Sequence, residues 1–157
     1  MTKLPLAADD LAAVQQMSGL EFLRFATSMP SDQRPPIIGD LFAMEVLSLE
    51  EGEVSFSIQS LPTAASPLGT LHGGACATLL DSVMGCAVHT TLPAGVGYGT
   101  LELKVNYIRT VPVDGQTLVG TGTLIHAGRS TATAEGKVLD AQGRLIAHGT
   151  TTCLVYR

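Results

Sequence analysis

The most informative stretch of this chain is residues 71–91, LHGGACATLLDSVMGCAVHTT. Ala, Leu and Met favour a helix, and between positions 75 and 88 the only polar side chains are those of Thr78, Asp81 and Ser82. A helix that is apolar nearly all round belongs inside a protein, and fewer than 18 residues are too few to span a membrane. The sequence therefore predicts a buried helix over 75–88 with a carboxylate in its middle.

A buried carboxylate is costly unless it is paired, hydrogen-bonded or reached by a polar cavity. The start of the same helix offers a reason for Asp81. The first turn of a helix has backbone N–H groups without partners, and Gly73 and Gly74 let a ligand approach them closely. Such donors could stabilise a carbonyl oxygen that becomes negative during a reaction. The simpler interpretation is a tight turn at the glycines and a structural hydrogen bond at Asp81.

Asp81 follows Gly73 by eight residues, which is roughly 12 Å along a helix. The two groups therefore cannot flank one carbonyl carbon from the same helix. Two copies packed antiparallel could bring Gly73 of one chain opposite Asp81 of the other. On this hypothesis the site exists only in a dimer, and a symmetric dimer contains two sites.

Composition limits the other classes of protein. The 157 residues fit one domain, with 45% hydrophobic and 15% charged residues. A net charge of −5 argues against nucleic-acid binding, which needs a basic surface. The N-terminal residues lack the apolar segment of a signal peptide, so we expect a cytoplasmic protein that does not associate with membranes.

The cysteines predict neither a disulfide framework nor a metal site. Cys76 and Cys86 lie roughly 15 Å apart on the predicted helix, too far to bridge, and no Cys/His pair has zinc-ligand spacing. Cys86 and His89 are three residues apart and could form a nucleophile–base pair. A solvated histidine at the helix end is the simpler interpretation.

The rest of the chain predicts an α+β fold. Residues 9–29 indicate one or two amphipathic helices, capped by Asp9 or Asp10 and interrupted at Gly19, so that residues 1–36 form an N-terminal helical extension. Residues 37–157 form the main domain. Strands are predicted at 42–49, 54–58, 98–110, 116–126, 130–139 and 144–156, with hairpin connections at 112–115 and 127–128.

These strands predict one curved antiparallel sheet wrapped around the central apolar helix. In the strand after that helix, alternation predicts one common face for Leu101, Leu103, Val105 and Tyr107. Four strand glycines could allow tight curvature or close approach to the helix; they are Gly120, Gly122, Gly136 and Gly149.

Residues 37–157 resemble the hotdog-fold acyl-CoA thioesterases of the phenylacetate-degradation type. The resemblance rests on GTLHGG at 69–74, Asp81 and Gly85-Cys86-Ala87, LELKVNYIR at 101–109, HAGR at 126–129 and DAQGRLIA at 140–147. It implies the hotdog fold, an acyl-CoA substrate, commonly aromatic or medium-chain, and no metal or organic cofactor. It also implies a homo-oligomer, in which a dimer completes the site and a tetramer is the expected assembly.

The resemblance also implies roles for individual residues. The Gly73 N–H would polarise the thioester carbonyl, and Asp81 of the facing subunit would act as nucleophile or general base. Thr100 would orient the attacking water, and His72 would shape the loop. Ser66 stands where relatives commonly have Asn, which puts water positioning by that residue in question.

Coenzyme A carries phosphate groups, which Lys104, Arg109 and Arg129 could meet with positive charge. The resemblance places pantetheine near Gly128 and Arg129, and Gly74 is a further candidate for substrate binding.

Two other functions are compatible with the same fold. A hotdog-fold enoyl-CoA hydratase would need an Asp–His pair over the double bond, and Asp81 with His72 is a poor candidate for such a pair. A non-catalytic acyl-CoA sensor generally carries a DNA-reading segment, but residues 1–30 hold only Lys3 and Arg24 as cations.

Overall fold

The computed structural model describes residues 13–30 and 32–156. In chain order the elements are helix α1 (Gly19–Ser28), strands β1 (Glu45–Glu50) and β2 (Glu53–Gln59), helix α2 (Gly73–His89), and strands β3 (Gly97–Tyr107), β4 (Thr117–Ala127), β5 (Thr131–Asp140) and β6 (Leu145–Tyr156). Short 3-10 helices lie at Ile38–Phe42 and Pro62–Ala64. Phe42 was predicted to begin β1, but it ends a 3-10 helix because Ala43 turns into the left-handed conformation (φ 47°).

The six strands form one antiparallel sheet in the order β1-β2-β4-β5-β6-β3, and α2 packs against it. The predicted α+β architecture is confirmed, as is the hairpin at 127–128. The hairpin predicted at 112–115 is wrong, because β3 pairs with β6 and not with β4. Strand β4 has β2 and β5 on its two sides, so β3 cannot pair with it and pairs with β6 instead.

Helix α2 supplies the centre of the core. The side chains of Leu79, Leu80, Val83, Met84, Ala87 and Val88 are fully buried. The strand glycines let the sheet come close: a Cβ at Gly122 would collide with the Val83 backbone, and one at Gly120 would lie 2.6 Å from Leu79 Cγ. The predicted close approach is therefore confirmed for these two, and also for Gly136, where a Cβ would lie 2.9 Å from Met84 Cγ. Gly149 differs, since its neighbour is the Lys104 carbonyl of the adjacent strand.

Helix α1 is attached to the far end of α2. It begins at Gly19, where an interruption was predicted, and Ser18 and Glu21 cap it reciprocally, a Ser-x-x-Glu signal readable in the sequence. The Gly19 N–H donates to the Leu92 carbonyl at 2.9 Å, and a Cβ at Gly19 would collide with the His89 carbonyl. The predicted caps Asp9 and Asp10 lie outside the described residues. No helix of the described segments is long and apolar enough to cross a membrane.

A β-bulge interrupts β3. Its pairing with β6 shifts between Thr100 and Glu102, so the predicted common face of this strand is wrong at Leu101, which is 59% exposed. Leu103 and Val105 pack against the core as predicted. The extra residue at the bulge shifts the alternation of side chains along the strand. Even-numbered side chains before the bulge therefore point to the same side of the sheet as odd-numbered side chains after it.

Candidate active site

Asp81 lies half-buried in the middle of α2. Its Oδ1 accepts a hydrogen bond from Thr100 Oγ1 at 2.9 Å, so the buried acid predicted from the sequence has a hydroxyl partner in its own chain. This bond leaves Oδ2 without a hydrogen-bond donor among the described residues. The bulge in β3 follows Thr100 directly and lets this hydroxyl face α2 together with Tyr107 beyond it. The arrangement fixes the carboxylate and leaves one oxygen available for chemistry.

The carboxylate opens into a cavity of about 740 Å³ between α1, β1, β2 and α2, within the size range of small-molecule sites (~300–1,000 Å³). Besides Asp81, its polar wall includes Ser82 and Thr100. Most of the remaining lining is apolar, from Phe22, Phe25, Met29, Ile38, Met44 and Phe56.

The start of α2 is a separate region. His72 is the N-cap, and its Nδ1 accepts from the Gly74 N–H at 2.9 Å. Gly74 is therefore already bonded, whereas the Gly73 N–H has no hydrogen-bond partner among the described residues. The Tyr107 ring covers Gly73, since a Cβ there would lie 3.1 Å from ring carbons. The free donor predicted at the first turn is Gly73 alone.

Gly73 and Asp81 are not brought together within one chain. Both lie on α2, eight residues apart, which is roughly 12 Å along the axis. A single chain therefore presents a donor and a carboxylate at two separate places, and one thioester carbonyl cannot reach both.

Ser66 lies in the turn that leads to α2. Its hydroxyl lies 3.2 Å from Thr70 Oγ1 and accepts from the Leu68 N–H at 3.3 Å. Gly69 completes this turn in the left-handed conformation (φ 78°). The Ser66 side chain is thus engaged in holding the turn before His72.

The predicted phosphate ligands lie on exposed surface at different places. Lys104 is on the edge strand β3, and Arg109 Nη1 donates to the Leu145 carbonyl at 2.6 Å. Arg129 and Gly128 lie in the β4–β5 turn, where the Gly128 N–H donates to the Thr131 carbonyl at 2.8 Å.

The sheet register separates Arg109 from Arg129. Tyr107 pairs with Ala147, whereas Thr131 pairs with Leu154. Seven residues of β6 separate these two pairs, roughly 23 Å. The two arginines therefore lie at opposite ends of one chain's sheet.

Cys86 and His89 do not form a reactive pair. Burial raises the pKa of the Cys86 thiol to about 12, which keeps it protonated and weakly nucleophilic at neutral pH. Burial also lowers the pKa of His89, whose ring packs between Phe22 and Tyr98 at centroid distances of 5.5 and 5.3 Å. In the described part of the chain, no three His, Cys, Asp or Glu side chains lie close enough together to hold a metal ion.

Two tyrosines of β3 beside this site were not predicted to belong to it. Tyr107 covers Gly73, and Tyr98 lies against Gly85, where a Cβ would come within 2.8 Å of its hydroxyl. The available signal was the pair of helix glycines together with tyrosines in the following strand. The contribution of α1 to the cavity had no sequence signal, because the distance between residues 22–29 and Asp81 is closed only by folding.

A family model described as the Thioesterase superfamily matches residues 68–147. Over 97 residues the chain is 33% identical to a candidate esterase of Halobacterium salinarum, covering 57% of this chain and 62% of that relative, less than two thirds of its length. Over 108 residues it is 24% identical to the 1,4-dihydroxy-2-naphthoyl-CoA hydrolase of Listeria monocytogenes, covering 68% of this chain and 85% of the relative.

A solved structure of a Streptococcus mutans protein bound to acetyl CoA is similar with a TM-score of 0.67 and 27% identity, covering 72% of this chain and 88% of that one. The family match spans half of the chain and includes α2 together with β3, β4 and β5. The chain therefore belongs to the Thioesterase superfamily: it has the hotdog fold, and its enzyme class is that of the thioester hydrolases.

Proposed function

We propose that this protein hydrolyses acyl-CoA thioesters to the free acid and CoA, at a site shared by two subunits, and that it is of the phenylacetate-degradation type. The observation that carries the proposal is the Asp81 carboxylate, which accepts a hydrogen bond from Thr100 at Oδ1, lies in a largely apolar helix and lines a cavity. No metal or organic cofactor is needed, since CoA belongs to the substrate.

In the proposed reaction, Asp81 Oδ2 of one subunit removes a proton from a water whose oxygen attacks the thioester carbon, or attacks that carbon itself. The Gly73 N–H of the other subunit donates to the carbonyl oxygen as it becomes negative. Collapse of the tetrahedral intermediate breaks the C–S bond, and the thiolate leaves and takes up a proton. If Asp81 itself has attacked, the product of this step is an acyl anhydride on Asp81, which a water then hydrolyses to the free acid and the regenerated carboxylate. His72 contributes by fixing the first turn, since its ring accepts from Gly74 and leaves Gly73 as the donor.

The edge of the sheet supports a second subunit. Strand β3 is 11 residues long and has β6 on one side only, and Leu101, Tyr107 and Ile108 on or beside it are about half exposed. A long apolar edge strand invites pairing with another chain. We propose that a second copy covers it and makes the dimer, with a tetramer as the further assembly expected from the family resemblance.

Such a dimer would also bring the positively charged side chains of Arg109 and Arg129 close together. Arg109 lies near the Gly73 end of each chain and Arg129 near the opposite end, so antiparallel copies would bring the two unlike ends together. Guanidinium groups bind phosphate well, and this chain of net charge −5 must meet the CoA phosphates locally. The Listeria monocytogenes CoA hydrolase and the Streptococcus mutans complex with acetyl CoA support this class of substrate. A cytoplasmic location stays a prediction.

The first experiment is an assay of CoA release from straight-chain and aromatic acyl-CoAs by the wild type and by Asp81→Asn. We expect kcat to fall by about 10²–10⁴-fold, the range for loss of an acid–base group. Asp32→Asn, which removes an exposed carboxylate, is the charge control. A wild type that hydrolyses none of these thioesters, or an Asp81→Asn variant with a near-normal rate, would refute the proposal.

The second experiment removes the donor. Proline is favoured at the first helical position and has no N–H, and His72 before it is already extended (φ −66°, ψ 135°), as a residue preceding proline prefers. Gly73→Pro should therefore fold and lower kcat by about 10²–10³-fold. Gly73→Ala is the matched control, since it adds a Cβ and keeps the N–H.

Mixing the two inactive variants tests the sharing of the site. In a mixed dimer, Gly73 of the Asp81→Asn chain faces the intact Asp81 of the Gly73→Pro chain. Random pairing should then restore about a quarter of wild-type activity. No recovery in verified mixed dimers would refute the shared site. Hydration of crotonyl-CoA, or acyl-CoA binding without turnover, would instead favour the hydratase or the non-catalytic binder.

A further inference from the structure

The cavity beside Asp81 concentrates the aromatic side chains of this protein. The chain has four Phe, three Tyr and no Trp, and four of these seven rings line the cavity, namely Phe22, Phe25, Phe56 and Tyr98. Two of the four come from α1, outside the segment that matches the family model. The cavity is therefore largely a product of this chain's own N-terminal segment.

We propose that this cavity binds the acyl group, that α1 sets the acyl-chain specificity, and that the subunit supplying Asp81 also binds the acyl group of the same substrate. This inference rests on the proposed thioesterase function. The substrate class is an uncharged apolar acyl group, either an aromatic ring or a medium-length straight chain. The reacting carbonyl then lies at Asp81, with CoA extending toward the other subunit.

The wall made by α1 is built into the fold. Leu23 is buried, and the Gly19 N–H bonds to the Leu92 carbonyl beyond α2. Arg24 Nη2 donates to the Leu49 carbonyl at 3.2 Å and lies 3.7 Å from Glu50. Helix α1 is thus tied to both sides of the cavity, to β1 and to the end of α2, and can select acyl groups by shape.

The second wall is closed by an ion pair. Both Arg34 Nη atoms donate to Asp40, one to each carboxylate oxygen, and Asp40 also accepts from the Ile37 N–H at 2.9 Å. These bonds hold Ile37 and Ile38 along the cavity. Because Arg34 and Asp40 neutralise each other, the carboxylates of Asp81 and Glu45 remain as the unpaired charges of the lining. An acidic acyl group such as succinyl would be repelled.

The cavity and Asp81 belong to one chain. Phe22, Phe25 and Phe56 surround the same space as Asp81 and Thr100, whereas the Gly73 donor is roughly 12 Å away along α2. An acyl group whose carbonyl carbon is at Asp81 can enter this space without crossing to the partner. The subunit that supplies Asp81 therefore recognises the acyl group, and the subunit that supplies Gly73 polarises the carbonyl.

The test reduces the volume of the cavity by placing a larger side chain on α1. Ala26 lines it, whereas Ser28 on the same helix is exposed and does not, so Ala26→Phe and Ser28→Phe form a matched pair. We expect Ala26→Phe to lower kcat/KM for decanoyl-CoA and phenylacetyl-CoA by about 10–200-fold, the usual value of a poorly fitting apolar group, and to lower acetyl-CoA hydrolysis by a much smaller factor. Ser28→Phe should leave all three substrates unchanged.

A second variant protects the test against misfolding. Phe25→Ala widens the cavity and should shift the preferred straight chain to greater length. Equal losses for acetyl and decanoyl substrates in both variants, or no change in either, would overturn the inference while leaving the thioesterase proposal intact. A wild type inactive on every thioester would refute the thioesterase proposal instead.

Mixed dimers of Ala26→Phe and Asp81→Asn test the assignment to one subunit. If the cavity serves the Asp81 of its own chain, the mixed dimer hydrolyses acetyl-CoA but not decanoyl-CoA, because the chain with the carboxylate has the blocked cavity. Recovery of decanoyl-CoA hydrolysis would show that the acyl group binds in the partner, and would overturn this part.

Discussion

At each end of helix α2 a glycine packs beneath a tyrosine, but the two pairs serve different purposes. Near its start Gly73 lies under Tyr107, and near its end Gly85 lies under Tyr98. Tyr107 is 55% exposed, and the N–H of Gly73 has no partner among the described residues. Burial raises the pKa of Tyr98, and Gly85 is buried. A glycine beneath a tyrosine therefore indicates close packing, and only exposure of the backbone donor makes it a candidate for catalysis.

The largest expected effect that separates the two ends is on stability. A Cβ at Gly85 would lie 2.8 Å from the hydroxyl of the half-buried Tyr98, whereas at Gly73 it would lie 3.1 Å from the more exposed ring of Tyr107. Overpacking costs about 1–3 kcal/mol, offset by about 1 kcal/mol from the better helix propensity of Ala. The net cost of Gly85→Ala is therefore about 0–2 kcal/mol, which should lower Tm by up to about 8 °C, and Gly73→Ala should lower it by much less.

Thermal unfolding of both variants measures this difference. Equal Tm values would mean that Tyr98 can move aside as freely as Tyr107. The comparison between the two ends would then fail.

A second prediction tests how closed the C-terminal half of α2 is. The pKa of Cys86 is about 12 and that of Cys76 about 11, both raised by burial, and burial also raises the pKa of Cys153. At pH 8 the native protein should react slowly with a thiol reagent, whereas all three cysteines of the denatured protein should react with it at once. Fast reaction of Cys86 in the native protein would contradict a closed packing around Gly85 and Tyr98.

The smallest expected effect concerns the wall at 34–40. The hydrogen bond from Arg34 lowers the pKa of Asp40 to about 2, from an ordinary value of 3.8. A carboxylate with a lowered folded-state pKa contributes stability above its unfolded pKa and loses it as the pH falls toward the folded one. Asp40→Asn should therefore lower Tm slightly at pH 7, and the difference should shrink between pH 4 and pH 2.

Measuring Tm of wild type and Asp40→Asn across that range checks the sign. Arg34→Gln should lower Tm at pH 7 by a similar amount, because it removes the other half of the ion pair. A difference that grows toward low pH would mean that the ion pair does not hold this segment.

Much of the fold was predictable because its signals are local. The apolar run around Asp81 predicted α2 to within two residues, and alternation predicted most strand positions. The order of strands was less accessible: the turn at 112–115 resembles a hairpin, yet β3 pairs with β6 because both sides of β4 are occupied. For the site, Asp81, Gly73 and Thr100 were all predicted, whereas Tyr107 and the cavity wall from α1 were not.

The sequence by itself determined that a carboxylate would lie in a buried helix, eight residues after the first of two glycines at its start, and that one helix could not bring the two groups together. Only the tertiary structure decided what each group meets. The bulge after Thr100 reverses the alternation of side chains along β3. As a result Thr100 contacts Asp81 and Tyr107 contacts Gly73, on the same side of the strand. Periodicity in a sequence reports the local conformation of the backbone, but a bulge and a cavity depend on which surfaces are left to pack after the strands have paired.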